Sequence, residues 1–522
     1  MSSILIKDKN LYFTMDSIIL KSFIPEIFLS LSILLQLVFN VRIINNLKFN
    51  FPILDKEIFI QTLFVIISLF FLLLNLKIEG FFSNFLFFND YGTKIIKIIF
   101  ILISFFALIF IFKSFSIQTL NFFEFFIILL FSILSSFFLI SSYDLLSAYL
   151  AIEMQALCFY ILASFKRNSA FSTEAGLKYF ISGAFISCIF LLGASIIYGS
   201  LGTLNLNYIN LLLSFSFEND FENLKYFIIL GSLCIIITLF FKVSAVPFHF
   251  WSPDVYEGSP LSSTIIFSIL PKIVIFSFLI RWVFAVSNIF FFIKELFLVV
   301  GILSVILGTF FSLKQKKIKK LIIYSSIAQI GFPVAALGSG TYSSYVFIFF
   351  FLTTYMLTSI LVWGNFTIMH NSQKNLNSFF NTNSISLFLS SFSNLFVANK
   401  IWSFSFVFIF FSIAGVPPLL GFLSKAFIIL GLIEGQQLFT AIFLVVISSI
   451  SVFYYIRIIK IIFFEISSLK KSNNKFMQLV SATIDLETLI FSTFLLLLLL
   501  LFIYPAPLLL LSECIAIHLI EI

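Results

Sequence analysis

Long apolar runs separated by short polar segments dominate the chain. An α-helix needs about 20 apolar residues to cross a bilayer, and we interpret fourteen runs as spans of this kind. They cover residues 20–41, 58–76, 95–112, 121–141, 145–165, 176–198, 226–249, 259–284, 290–312, 320–339, 343–366, 400–432, 437–464 and 488–511. The pattern therefore predicts an all-α polytopic membrane protein with about 14 transmembrane helices.

Proline interrupts two of these spans, the seventh at Pro247 and the twelfth in "AGVPPLLGF" at Pro417 and Pro418. Proline removes a backbone donor, and the freed carbonyls of a helix in lipid must line a cavity or be buried by neighbours. The two breaks lie about 170 residues apart, as do the starts of the fourth and ninth spans. Because five spans is an odd number, this spacing predicts two inverted five-helix repeats, each with a broken helix. Coincidental spacing is the alternative.

The spans divide the chain into four segments. We expect a three-helix N-terminal segment at 1–120, a first repeat of spans 4–8 at 121–286, a second, inverted repeat of spans 9–13 at 287–466, and a last span with its tail at 467–522.

Composition agrees with a membrane protein, since 61% of residues are hydrophobic and 10% charged, against about 25% charged in soluble domains. Lys and Arg are more frequent in loops after odd-numbered spans, including Lys48, Lys470 and Lys471. This bias predicts that those loops face the matrix or cytoplasm and that both termini face outward. The formal charge of +8 follows from the same bias and needs no nucleic-acid partner.

The four cysteines form no CxxC pair, and the three histidines cannot supply the paired ligands of a membrane haem set. We therefore expect no metal and no redox cofactor bound by this chain.

Four ionisable residues lie in the middle of apolar runs: Glu153, Lys242, Lys272 and Lys425. A charge at the bilayer centre costs about 2.5–3.5 kcal/mol on insertion scales, so four such residues favour a functional role. Structural ion pairs between helices are the alternative. Other charges are expected nearer span ends, where they can reach water: Glu26, Arg281, Glu434, Arg457 and Lys460.

Lysine suits proton transfer because burial disfavours its ammonium form and a nearby carboxylate favours it. A lysine that meets and then leaves an acid partner therefore binds and releases a proton. We predict that Glu153 is the partner of Lys242 and that water in the broken-helix region links a row of lysines in the membrane plane.

Three further residues are weaker candidates for the relay. His249 can transfer protons, pack, or hold the loop by hydrogen bonds. Lys319 and Lys320 enter the tenth span from a basic loop, and solvated charge is their alternative role. A polar stripe in the same span is expected to hold water: Tyr324, Ser325, Ser326 and Gln329.

Four segments resemble a known family: "PFHFWSPDVYEGSP" (247–260), "KKLIIYSSIAQIGF" (319–332), "AGVPPLLGFLSKAFI" (414–428) and "YYIRIIKIIFF" (454–464). They are similar to the chain 2 family of membrane subunits of proton-translocating NADH:ubiquinone oxidoreductase, respiratory complex I. The "PDVYEGSP" form and the lysine in "FLSKAF" resemble chain 2 rather than its antiporter-like sisters, chains 4 and 5.

The resemblance implies a fourteen-helix, antiporter-like subunit of the mitochondrial inner membrane that moves protons. It implies that NADH, FMN, iron–sulfur clusters and ubiquinone are bound by partner subunits. The implied partners are other membrane-arm subunits, including the chain 4 homologue, and phospholipids. Family positions for the proton relay map onto Glu153, Lys242, Lys272 and Lys425, and the motif histidine maps onto His249. Gln329 departs from the pattern, because many relatives have histidine there.

Three other functions compete with this one. A monovalent cation/proton antiporter of the Mrp type would share the fold, but it is expected to need a carboxylate-rich site. A scaffold without transport would not need the four buried charges. A plastid relative of complex I would share the motifs.

Overall fold

The structure is a computed structural model of the 522-residue chain. It describes residues 21–46, 55–76, 80–82, 86–118, 122–216, 222–377, 389–392, 396, 400–465 and 486–520. The loop lysines Lys48, Lys470 and Lys471, used for the predicted orientation, lie outside the described residues, as does the start of the tail segment at 467.

The described residues form eighteen α-helices and one short hairpin. The helices are α1 Ile24–Asn46, α2 Asp55–Asn75, α3 Tyr91–Gln118, α4 Phe122–Ser141, α5 Leu145–Ala163, α6 Ala170–Leu201, α7 Leu206–Ser216, α8 Glu222–Val243, α9 Trp251–Gly258, α10 Leu261–Ala285, α11 Phe290–Lys314, α12 Ile318–Leu337, α13 Tyr342–Asn377, α14 Lys400–Ala414, α15 Leu420–Glu434, α16 Leu438–Phe464, α17 Leu486–Ile503 and α18 Ala506–Ile520. Two 3-10 turns cover Ser287–Ile289 and Leu389–Phe392.

Twelve of these helices are long and apolar enough to cross a membrane, and a bent pair makes a thirteenth. The bent pair is Ile490–Ile503 with Ala506–Leu519, which meet at 82°. The sequence predicted one span at 488–511, but the chain turns at Pro505, where a continuing helix would lose a backbone donor. The twelfth predicted span is two helices, α14 and α15, of 15 residues each.

Both predicted breaks are present. In the seventh span α8 ends at Val243, before a cis peptide bond between Val246 and Pro247, and the chain continues as α9 just beyond the predicted end of the span at 249. The twelfth is divided into α14 and α15, with a cis bond between Pro417 and Pro418. The prediction of one broken helix in each repeat is therefore confirmed.

The two repeats share one packing scheme. In the first repeat α4 packs on α5, α6 on both halves of the broken helix, and α10 on α4. In the second repeat the equivalent pairs are α11 with α12, α13 with α14 and α15, and α16 with α11. The central element is α10, whose spanning window is completely buried and which contacts α3, α4, α5, α8 and α13.

A two-stranded hairpin lies beside the N-terminal helices and was not predicted. Strand β1, Gly80–Phe82, pairs antiparallel with β2, Phe87–Asn89, with Phe81 opposite Phe88. It leads directly into α3 and brings Asn89 and Asp90 close to the start of α1 and the end of α10.

Candidate proton-relay site

The first half of the broken helix in repeat 1 ends in a Schellman motif. Ser244 has a φ of 67°, in the left-handed region. Its N–H donates to the Phe241 carbonyl at 3.0 Å, and the next N–H, of Ala245, donates to the Phe240 carbonyl at 2.9 Å. These two bonds satisfy carbonyls of the last turn, and Pro247, three residues after Ser244, prevents the helix from continuing.

Repeat 2 ends its half-helix in the same way. Gly415 has a φ of 84° and donates to the Ser412 carbonyl at 3.1 Å, while Val416 donates to the Phe411 carbonyl at 3.0 Å. Glycine takes a left-handed φ without strain from a Cβ atom. In both repeats the Schellman bonds leave the last two helical carbonyls without an N–H donor from the described backbone.

A lysine satisfies one of those carbonyls in repeat 1. Lys272, on α10, is 1% exposed. Its Nζ donates to the Val243 carbonyl at 2.5 Å and to the Ser244 hydroxyl at 3.3 Å. Because helix C-termini carry partial negative charge, the half-helix end stabilises this ammonium in the absence of a carboxylate contact among the described residues.

In repeat 2 a lysine again satisfies these carbonyls, but it comes from a different helix. Lys425 lies on α15, the second half of the broken helix, and its Nζ donates to the carbonyls of Ile413 at 2.9 Å and Ala414 at 2.8 Å. The ring of Phe332 lies 5.6 Å from the same Nζ, within the range of a cation–π contact. The ammonium groups of Lys272 and Lys425 therefore both lie at the ends of half-helices.

Lys242 and Glu153 lie within electrostatic range of each other but do not touch. Lys242 is the second-last residue of α8, and Glu153 is in the middle of α5. The Nζ of Lys242 and Oε1 of Glu153 are both buried and have no hydrogen-bond partner among the described residues. The predicted partners therefore interact through their charges without a hydrogen bond between them, and each can still form hydrogen bonds.

A small hydroxyl-rich cavity lies between α9, α10, α12, α13 and the end of α14. It is lined by Ser268 of α10, one turn before Lys272, and by Ile413, whose carbonyl binds Lys425. Its other polar lining residues come from α9, α12 and α13: Tyr256, Ser325, Ser326, Gln329, Tyr355, Thr358 and Ser359. The predicted polar stripe of α12 contributes three of them, while Tyr324 packs instead on Phe311, 5.4 Å between ring centroids.

Among the weaker candidates, His249 lies inside the first break. It is 5% exposed, its Nδ1 has no partner among the described residues, and its ring stacks on Phe250 at 4.7 Å and on Phe311 at 6.4 Å. Its carbonyl accepts from the backbone N–H and the hydroxyl of Ser252. His249 therefore packs and organises the loop, and proton transfer through it stays a prediction.

Lys319 and Lys320 lie at the loop end of α12. Lys320 Nζ is 2.8 Å from Glu257, and Lys317 Nζ is 2.6 Å from the other oxygen of the same carboxylate. Burial alone would raise the pKa of Glu257, but the hydrogen bonds from these two lysines outweigh it and lower the pKa. Lys319 donates to the Ser259 carbonyl at 3.3 Å. Lys319 and Lys320 are thus both bound by groups at the start of α12, and their part in a relay stays a prediction.

Two charges expected near water, Glu26 and Arg281, are buried instead, together with Lys97. Glu26 and Lys97 are each 2% exposed and form an ion pair of 2.5 Å. Arg281 is 4% exposed, donates to the carbonyls of Ile140 and Ser142, and lies 3.7 Å from Asp90. Glu26 and Arg281 thus lie near span ends as expected, but they do not reach water, because Glu26 pairs with Lys97 and Arg281 binds backbone carbonyls.

Comparison with known proteins agrees with this architecture. The family described as "NADH:quinone oxidoreductase/Mrp antiporter, TM" matches residues 142–451. NADH-ubiquinone oxidoreductase chain 2 of Marchantia polymorpha is 34% identical over 495 residues, which cover 94% of this chain and 96% of that protein.

Two solved structures share the fold. A chain of respiratory complex I from Thermus thermophilus matches with a TM-score of 0.71 and 23% identity, covering 93% of this chain and 98% of that one. A chain of the Mrp complex from Dietzia sp. DQ12-45-1b matches with a TM-score of 0.75 and 16% identity, covering 96% and 98%. The fold alone therefore does not separate the two groups, whereas the sequence relationship to chain 2 does. This chain belongs to the NADH:quinone oxidoreductase/Mrp antiporter family of multi-pass membrane proteins and is an antiporter-like subunit of the complex I chain 2 type.

Proposed function

We propose that this chain translocates protons through a relay of Glu153, Lys242, Lys272 and Lys425, driven by electron transfer from NADH to ubiquinone in other subunits. The observation that supports it most is a pair of buried atoms without a hydrogen-bond partner among the described residues, Nζ of Lys242 and Oε1 of Glu153. Lys242 lies at the end of half-helix α8, within electrostatic range of Glu153. Burying an ion without hydrogen bonds costs free energy. A role in proton exchange would account for that cost, because the group must be free to bind and release a proton.

We propose an order for the relay from the positions of its residues. Lys242 directly precedes Val243, whose carbonyl holds the Lys272 ammonium. The hydroxyl-rich cavity continues from Ser268, one turn along α10, to Ile413 beside Lys425. Water in such a polar cavity can bridge groups that do not touch.

In each step of the relay an N–H bond of one lysine breaks, a water molecule carries the proton, and an N–H bond forms on the next neutral lysine. Glu153 favours the charged form of Lys242 when the two are close. Movement of either group would release the proton toward Lys272.

The proposal assigns the redox chemistry to partners. NADH, FMN, iron–sulfur clusters and ubiquinone would be bound by other subunits, and neighbouring membrane-arm subunits, including a chain 4 homologue, and phospholipids would surround this chain. The relationship to chain 2 of Marchantia polymorpha supports a location in the mitochondrial inner membrane.

An Mrp-type cation/proton antiporter is the second candidate, favoured only by the shared fold. A sodium ion needs several oxygen ligands. The proposed relay positions carry three ammonium groups and one carboxylate, that of Glu153. Sodium-dependent proton exchange by the isolated chain in vesicles would support this candidate over the relay.

The direct test replaces Lys242 with methionine. In assembled complex reconstituted into vesicles, we expect Lys242→Met to lower the number of protons moved per NADH while NADH oxidation continues. Lys460→Met, at an exposed position on α16, is the matched control and should leave the ratio unchanged. An unaltered ratio in assembled Lys242→Met complex would refute the relay.

A further inference from the structure

A second cluster of buried charges lies in the N-terminal part of the fold, outside the relay. It consists of Glu26 on α1, Asp90 before α3, Lys97 on α3 and Arg281 on α10, and each residue is at most 5% exposed. These four residues, here called the outer cluster, carry two acids and two bases. All four lie near the helix ends that the Lys/Arg bias predicts to face outward, opposite the Glu257 ion pairs.

The two ion pairs in the outer cluster differ in geometry. Lys97 is closely paired, with its Nζ 2.5 Å from Glu26 Oε1 and 2.5 Å from Asn89 Oδ1. Arg281 and Asp90 are 3.7 Å apart at their closest atoms, and Arg281 Nη1 donates to carbonyls at the end of α4 instead. The Lys97–Glu26 pair is therefore in hydrogen-bond contact, whereas the Arg281–Asp90 pair is not.

Asp90 has a structural role that uses only half of its carboxylate. Its Oδ1 accepts the N–H of Thr93 at 2.7 Å, and its own N–H donates to the Thr93 hydroxyl at 3.0 Å, which caps the start of α3. Its Oδ2 is buried and has no hydrogen-bond partner among the described residues, and the same holds for Nε and Nη2 of Arg281. Oδ2 therefore faces Nη2 of Arg281 at 3.7 Å, beyond hydrogen-bond distance.

Asp90 also lines a cavity. Polar residues from the hairpin and α3 line it, together with the start of α1 and the end of α2: Ser22, Asn89, Asp90, Thr93, Lys94 and Lys97. Pro25, Leu73, Leu76 and Tyr91 complete the lining, and the cavity has room for water beside its polar groups. Arg281 also connects the outer cluster to the relay, because it lies nine residues after Lys272 on α10, about 14 Å along the helix axis.

We propose that the Asp90 carboxyl is a proton-binding site that exchanges protons with the outer side of the membrane. The inference rests on the proposed relay and adds an outer site to it. In uptake, a hydronium ion in the cavity gives its proton to Asp90 Oδ2, an O–H bond forms and a water molecule remains. Arg281 then keeps the carbonyls of Ile140 and Ser142, and Lys97 keeps Glu26. In release, the proton returns to water and the carboxylate again faces Arg281.

The groups facing Asp90 determine its response. Lys97 and Glu26 face it from α3 and α1, Arg281 from α10, and Tyr143 from the α4–α5 link, where it lies within electrostatic range. Lys94 and Tyr91 flank it on α3: Lys94 donates to the carbonyls of Leu74 and Leu76, and Tyr91 packs on His518 of α18 at 5.6 Å.

The test is Asp90→Asn in the whole complex, because asparagine caps a helix as well as aspartate does but cannot take up a proton. Two quantities are measured: the infrared carboxyl band that appears on acidification, and the protons moved per NADH. Asp144→Asn is the matched control, since Asp144 caps α5 by accepting the Leu146 N–H at 2.8 Å and lies outside the outer cluster.

We expect Asp90→Asn to lose one titrating carboxyl band and to lower the proton ratio by the same factor as Lys242→Met, while Asp144→Asn leaves the proton ratio unchanged. If Asp90→Asn does not assemble, Asp90→Ser, which also caps, replaces it. An unchanged band and ratio in the variant that assembles would show that Asp90 is only a cap. If Lys242→Met lowers the ratio and the Asp90 variant does not, this inference fails and the relay stands. If Lys242→Met has no effect, the relay fails, whereas the loss of the band would still identify the proton site.

Discussion

The two helix breaks have the same backbone but different charges. Each half-helix ends in a Schellman motif, and in each a lysine donates to the carbonyls that the motif leaves open. Only the first break carries a second ammonium: Lys242 takes the second-last helical position, which in repeat 2 is Ile413. The acid is also confined to repeat 1, because α12, the equivalent of α5, contains no carboxylate.

This difference separates buried charges that also stabilise a helix end from buried charges that have no structural partner. Lys272 and Lys425 both satisfy open carbonyls, so each has a structural role that would stabilise its break. Lys242 and Glu153 satisfy nothing among the described residues, and the second break forms without their equivalents. Their burial is therefore unexplained by the break itself, which is the physical basis for assigning them to proton exchange.

The largest expected effect comes from removing the acid of repeat 1. Glu153→Gln keeps the size of the side chain but removes the charge that favours the Lys242 ammonium, so keeping Lys242 protonated becomes more costly. We expect coupled proton transfer to slow by about tenfold or more, measured as proton uptake per NADH in vesicles. Glu124→Gln, an exposed acid in the first turn of α4, is the control. A variant that transfers protons at the normal rate would mean that Glu153 and Lys242 are not partners.

A smaller effect is expected from exchanging the residues in the left-handed position. Gly415→Ala should destabilise the second break by about 1–2 kcal/mol, because a Cβ there is strained and would lie 3.0 Å from Lys425 Cδ. Ser244→Gly should relieve strain in the first break and leave stability equal or higher. Thermal inactivation of the assembled complex measures both. If Gly415→Ala is neutral while Ser244→Gly is destabilising, the two breaks do not share this turn.

The smallest effect concerns the rim of the fold. Because the pKa of Glu257 is lowered from 4.5, its ion pairs stabilise the protein above that ordinary value and are lost as pH falls through the lowered pKa. Glu257→Gln should cost about 0.5–1 kcal/mol at neutral pH, since the group is partly exposed, and less in acid. Thermal inactivation measured at pH 7 and in acid tests this. An equal loss at both pH values would show that charge is not the cause.

The sequence predicted the breaks and the four central charges because both are conspicuous in an apolar chain. Pro247, Pro417 and Pro418 follow the ends of half-helices, although Pro271 and Pro333 lie inside continuous helices. Lys242, Lys272 and Lys425 lie in predominantly apolar runs, where a charge is costly. What binds each charge could not be predicted. Lys272 reaches a carbonyl 29 residues earlier, and that contact depends on how α10 packs against α8.

The outer cluster shows the opposite case. Glu26, Lys97 and Arg281 lie near predicted span ends, where water is the default partner of a charge, so their position in sequence gave no sign of burial. The hairpin that encloses them contains only three residues in each strand and lies among aromatic residues. The bend at Pro505 was missed for a similar reason, because a single proline near the end of an apolar run is compatible with a simple helix end.

The most direct test of the central claim is the proton ratio of Lys425→Met, because Lys425 is the only buried ammonium described at the second break. If the buried charges carry protons between the repeats, assembled Lys425→Met complex should oxidise NADH while moving fewer protons per NADH than the Lys460→Met control. Proton transfer equal to that control would mean that Lys425 serves only to hold the end of α14, and the relay would have to be abandoned.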